Sequence, residues 1–198
     1  MPFVAAAVLV AVVHLATGLT AWLDVGLLAD DHEMIGAAVL RHRGDWTLAS
    51  AFLPPAAPAD PVRALYRPVV DLLFWLEQPW FGVDAFGYHV VNSVLHCGTA
   101  LLWFVLVRRW SGSLAAALAT SVLFAGWPGH SEATHWIAAR TNLLSTFLMS
   151  AALCVHDRAL TATTAAGRGA LLGAGSLCAV LAIGAKESAV FVVPLAAV

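Results

Sequence analysis

An all-α, polytopic transmembrane helix bundle is the fold class this sequence predicts, and three observations predict it. Of the 198 residues, 61% are hydrophobic and only 11% charged, against about 25% charged in an ordinary soluble domain, and mean hydropathy is +0.83. Apolar stretches close to the roughly 20 residues that cross a bilayer recur along the chain. None of them alternates as a barrel strand does, so helices remain as the way to pair the backbone inside lipid.

In chain order, the first span is expected from Pro2 to Leu23. It has no Lys or Arg before its apolar run and the run is long, so it reads as a retained helix and not as a cleaved signal peptide. A polar first loop follows over about 24–87, with Pro54, Pro55, Pro58 and Pro61. Within it, Arg67 to Trp80 is apolar and aromatic but carries Asp71 and Glu77, the pattern of a helix lying at the interface or against other spans. Further spans are expected over Tyr88–Val107, Leu114–Trp127, Trp136 or Arg140 to Val155, and from after Arg168 to Ile183. Lys186-Glu187 then breaks the apolar run before Ser188–Val198, which is too short to cross. The expectation is about five full spans and the start of a sixth.

Cytoplasmic loops carry the excess of Lys and Arg, so Arg108, Arg109, Arg158 and Arg168 mark the cytoplasmic side. The first loop, the bend around His130 and Lys186-Glu187 then share the opposite face, and nine of the twelve acids (Asp24, Asp30, Asp31, Glu33, Asp45, Asp60, Asp71, Glu77, Asp84) lie in that loop. A net charge of −2 provides no basic field for nucleic acid. Cys97, Cys154 and Cys178 lie inside apolar segments without CxxC spacing and read as small core residues. Trp22, Trp46, Trp75, Trp80, Trp103, Trp110, Trp127 and Trp136 mostly fall near span ends, where belt anchoring is the default.

Several polar groups demand more. Asp30-Asp31, just beyond the first span, can supply a general base whose pKa is raised by its neighbour and by partial burial; a solvated helix N-terminus would also favour acids. His89, Asn92 and His96 share one helix face near the outer end of a span, either lining a polar cavity or bonding between helices; with no carboxylate at ligand spacing, metal ligation comes last. The bend from Trp127 to Trp136 holds His130, Glu132 and His135 but not the HExxH of a zinc protease. Arg140 offers a planar donor fork to a phosphate, or snorkels to the interface. Lys186-Glu187 within an apolar run is costly unless it faces a cavity, or else forms a surface ion pair in a tight loop. Arg67 is a further outer-face cation.

Taken in order, the acidic pair after span one, Tyr66-Arg67-Pro68, the run from Tyr88 to His96, the Pro-Gly-His-Ser-Glu bend leading to Ala139-Arg140-Thr141-Asn142-Leu143-Leu144, and Lys186-Glu187 resemble the transmembrane and tetratricopeptide-repeat O-mannosyltransferase family of the GT-C class. The resemblance runs from about Asp30 to Val198, and makes the whole chain, 1–198, the N-terminal part of a GT-C-like transmembrane domain. It implies a glycosyltransferase that takes a mannose-like hexose from a polyprenyl-phosphate carrier and passes it, with inversion, to an acceptor protein or glycan on the outer or lumenal face. It also implies Asp30 or Asp31 as general base and Arg67, Arg140 and Lys186 on the carrier phosphate, with His89, Asn92, His96, His130, Glu132 and Glu187 lining the cavity. No metal and no cofactor beyond the lipid-linked donor are implied; membrane lipids are the remaining partners. Departures are Trp127-Pro128 for the usual His-Pro, Asn142 for the usual Asp after Arg-Ala, and Ala185 for the usual Ser before Lys-Glu. The alanine-rich composition and short loops suggest a bacterial inner membrane with the site on the periplasmic face. The rival readings are a transporter or flippase that binds without reacting, and then a non-catalytic assembly protein.

Overall fold

The computed structural model of the chain describes residues 2–22, 25–44, 46–53 and 66–192. Pro54, Pro55, Pro58, Pro61, the acids Asp24, Asp45 and Asp60, and residues 193–198 lie outside the described residues. Among the described residues every regular element is helical: α1 (Pro2–Trp22), α2 (Asp31–Arg43), α3 (Pro68–Phe81), α4 (Ala85–Ser111), α5 (Leu114–Gly126), α6 (Ser131–His135), α7 (Arg140–Leu160) and α8 (Ala165–Ala185), with 3-10 turns at Leu48–Phe52, Pro128–His130, Ile137–Ala139 and Glu187–Phe191.

Local chemistry sets these boundaries. The Asp84 carboxylate accepts from Phe86 N at 3.1 Å, Ser113 Oγ from Ala116 N at 3.2 Å and Thr164 Oγ1 from Gly167 N at 3.2 Å, so α4, α5 and α8 each begin on a side-chain cap. Gly112 ends α4 at φ +65°, the left-handed conformation that glycine adopts without steric cost. Pro68 opens α3 at a position where a missing N–H costs nothing.

Among the described residues three segments have the length and composition to cross a bilayer: Ala85–Ser111, Ile137–Leu160 and Ala165–Ala185. The expectation of five full spans needs correction at Leu114–Trp127. There α5 has only 13 residues, about 20 Å of helix against roughly 30 Å of hydrocarbon. The chain then continues through the bend in consecutive short helical turns and not as an open loop. α1 is apolar over Pro2–Gly18 and packs on α4 and α5, with Ala6 against Phe104 and Ala117 and Val10 against Ala100 and Ala125. The helix expected over Arg67 to Trp80 is present as α3, packed against α2, α4 and α8.

At the basic end, Arg109 pairs with Asp157 and Trp110 Nε1 donates to the same carboxylate at 3.0 Å, joining the end of α4 to the end of α7. At the other end Ile35, Val70, Phe74, Tyr88, Leu95, Ile137, Leu143, Leu144 and Ala185 form the main core, drawing α2, α3, α4, α7 and α8 together beneath the polar residues. Arg41 and Asp71, 2.9 Å apart, fasten α2 to α3. α3 can sit close on α8 because Gly184 has no side chain: a Cβ there would lie 2.8 Å from Val69 Cγ2. Gly184→Leu is therefore expected to push α3 off α8 and lower stability by about 1–3 kcal/mol, read as a reduced thermal midpoint in detergent, whereas Gly169→Leu, with open space at its Cβ, is expected to leave the midpoint near wild type.

Candidate functional site

The two neighbouring acids face different surroundings. Asp31 is fully buried, and its carboxylate accepts from Leu28 N at 2.8 Å and from Ala138 N at 2.7 Å. Asp30 is exposed at the N-cap position of α2 and makes no side-chain cap bond. Just before it, Ala29 has φ +40°, a left-handed conformation that costs an L-residue about 1–2 kcal/mol. Of the pair, only Asp30 presents its carboxylate to solvent, so the sequence alternative of Asp31 as base runs against its burial and its two backbone bonds.

Among the described residues Arg140 is the largest fully buried side chain, and its setting corrects the phosphate-binding expectation. Its Nε donates to Asn92 Oδ1 at 2.8 Å, one terminal nitrogen donates to Tyr88 O at 2.8 Å, and the other to the Glu77 carboxylate. The guanidinium also lies over the Phe74 ring, 4.6 Å from its centroid. A charge this deep is tolerated only when paired and hydrogen-bonded, and these partners hold it away from both cavities. Burial pushes the Glu77 carboxyl upward, against the pull of Arg140 beside it. Asn92 belongs to this network and does not line a cavity; His89, also buried, has Nε2 3.2 Å from Val25 O.

Arg67 reaches the residue next to Lys186, 120 positions along the chain. An Arg67 terminal nitrogen lies 3.3 Å from Glu187, while Lys186 Nζ donates to Asn142 Oδ1. Glu187 is exposed and pairs at the surface instead of lining a cavity; its own backbone N–H, and then Arg67, hold its carboxyl below the usual range. Asn142, an uncharged acceptor, stands in the first turn of α7, where Arg140 is also rooted.

Two concavities open at this end. A cleft of about 460 Å³ lies between Leu28 and Ala29 on one side and Ser131, Glu132, His135 and Trp136 on the other, with Asp30 next in the chain to its wall. A smaller cavity of about 150 Å³ is lined by residues including His96, His130, Phe124 and Asn142. His96 stands between His14 and His130, with ring centroids 5.1 and 5.2 Å away. Glu132 thus lines the larger of these concavities and His96 and His130 the smaller, while His89, Asn92 and Glu187 line neither of the two. Sequence reasoning missed Glu77 and Asn142 as partners of the two cations. Glu77 had one available signal, an acid inside an otherwise apolar interfacial helix; Asn142 was visible only as a departure from the family's motif.

No family model matches the chain, and no solved structure does. Among curated proteins it is 36% identical over 94 residues to a protein O-mannosyl-transferase of Caenorhabditis elegans, covering 46% of this chain and 14% of that protein. It is 33% identical over 96 residues to protein O-mannosyl-transferase TMTC1 of Homo sapiens (48% of this chain, 11% of that protein), and 31% identical over 135 residues to TMTC2 of Homo sapiens (67% and 16%). The similarity to O-mannosyl-transferases inferred from the motifs is thereby shown, and the chain spans no more than 16% of the length of these relatives. The three are animal proteins, which lends no support to a bacterial inner membrane.

Two outcomes follow from the geometry. Arg140→Met leaves the Glu77 carboxylate buried and uncompensated and is expected to cost about 3–5 kcal/mol, while adding Glu77→Leu recovers a large part of that loss; denaturant titration in detergent measures both. Burial holds His135 below the ordinary histidine value, with a Gly18 backbone contact opposing. The stability this contributes is complete above the unfolded pKa of about 6.5 and is lost as pH falls through the lowered value. His135→Gln is expected to flatten the fall of the thermal midpoint between about pH 7 and 5.

Proposed function

We propose that this chain is the N-terminal part of a membrane glycosyltransferase that moves a mannose-like sugar from a polyprenyl-phosphate carrier to an acceptor hydroxyl, as the transferase names of its relatives suggest. The observation that carries this reading is convergence. Asp30 from the first loop, Arg67 from the start of α3, Asn142 from α7 and Lys186 from the end of α8 lie at one end of the bundle, opposite Arg109 and Asp157. By the distribution of basic residues that end is the external or lumenal one.

In the proposed reaction the Asp30 carboxylate takes the proton of an acceptor hydroxyl held in the cleft of Glu132 and His135. The hydroxyl oxygen attacks the anomeric carbon from the face opposite the carrier as the bond to the phosphate oxygen breaks. The phosphate leaves with that electron pair, and a single displacement inverts the anomeric carbon. Lys186 and Arg67 neutralise the charge that develops on the phosphate, the type of preorganised electrostatic help that is usually the largest catalytic contribution. Arg140 supports this arrangement from below without touching the carrier, and the acceptor is a protein or glycan. Transport without chemistry is the weaker reading, because relatives over this region are named as transferases.

Membranes holding the full-length protein, incubated with radiolabelled polyprenyl-phosphate mannose, are expected to release free carrier and label an acceptor. Asp30→Asn is expected to lower that rate about 100-fold or more, and Lys186→Met to raise the donor KM about tenfold, the equivalent of one lost charge contact of ~1.4 kcal/mol. No release from any donor, together with unimpaired function of Asp30→Asn, would point to transport.

A further inference from the structure

Asp31 grips both walls of the larger cleft. Its carboxylate accepts one backbone N–H from Leu28, on the first-loop wall, and one from Ala138, two residues beyond Trp136 on the opposite wall. Its own N–H donates back to Leu28 O at 2.8 Å. Between these contacts lies Ala29, at φ +40°, a conformation that relaxes unless surrounding bonds hold it. Asp30 follows directly, so its direction at the rim is set by the turn that Asp31 closes.

We propose that Asp31 is a positioning residue whose buried carboxylate clamps the two walls of the cleft, holds Ala29 left-handed and so aims the Asp30 carboxylate at the acceptor. This rests on the transferase reading above for its catalytic consequence, but not for the clamp itself. A second proton acceptor is not what Asp31 supplies, because its carboxylate is fully buried and out of reach of an acceptor in the cleft, with a backbone N–H on each oxygen. Asn at position 31 keeps the size but can accept with one oxygen only, and so breaks one side of the clamp.

The test uses the full-length protein with two readouts: amide hydrogen exchange at Leu28 and Ala138, which needs no activity, and kcat against donor KM for sugar transfer. Asp31→Asn is expected to speed exchange at one or both amides about tenfold or more and to lower kcat about tenfold with donor KM within about twofold. Adding Ala29→Gly is expected to restore kcat about threefold or more, because glycine holds a positive φ at no steric cost. Asp30→Asn is expected to leave exchange unchanged and to gain nothing from Ala29→Gly. Unchanged exchange in Asp31→Asn, a kcat loss that glycine does not relieve, or unfolding of the whole bundle in both Asp31→Asn and the double variant would each overturn the clamp. If the wild-type protein transfers no sugar, the transferase reading fails while exchange still decides whether Asp31 holds the cleft.

Discussion

A fully buried guanidinium fixes the polar end of this bundle. Stripping Arg140 of water costs several kcal/mol, and the chain offsets that cost by bringing Glu77 from α3 and Asn92 and the Tyr88 carbonyl from α4 to its donors. A fork with three partners in fixed directions leaves little freedom in how α3, α4 and α7 meet. Asn142, in the same turn of α7, is thereby set against Lys186, and α3 is set so that Arg67 at its start reaches Glu187 beyond α8. The surface ion pair itself contributes little; the placement of its partners follows from the buried group underneath.

Lipid gives helices no hydrophobic reason to leave it for one another, so packing shape and polar contacts must associate them. The two ends of the bundle use the same means for different results. At the basic end Arg109, Trp110 and Asp157 tie α4 to α7 at the water boundary, with no cavity beside them among the two described. At the other end the polar contacts surround empty space. The short α5 and the chain of helical turns after it belong to this design: they return the chain early, and place Glu132 and His135 beside the first loop.

The scaffold was legible because hydropathy and charge act over whole segments. The membrane-length helices α4, α7 and α8, the helix α3 and the grouping of acids and cations at one end all follow from patterns that depend little on exact rotation. Rotation and depth were not legible. Adjacent positions on a helix diverge by about 100°, which is how Asp31 points into the protein while Asp30 stays in water. Arg140 shows the same limit: a cation at the start of a span looks suited to a phosphate until a Glu 63 positions earlier is found against it. At Leu114–Trp127 the apolar composition of a span and the 13-residue length of α5 point in opposite directions. Lys186 and Arg67 stand out in sequence as cations beside apolar runs, and only the fold could supply Asn142 and Glu187 as their partners.

The proposed sugar transfer requires the anionic head of a lipid carrier to dock at the end of the bundle that holds Asp30, Arg67 and Lys186. Photocrosslinking the full-length protein in membranes with a polyprenyl phosphate bearing a photoreactive group next to the phosphate measures this directly. Label on peptides containing Arg67, the 131–142 segment or Lys186, suppressed by excess unlabelled polyprenyl phosphate, is the expected result. Label confined to the peptides of Arg108, Arg109, Arg158 and Arg168, or label that unlabelled carrier does not displace, would contradict it.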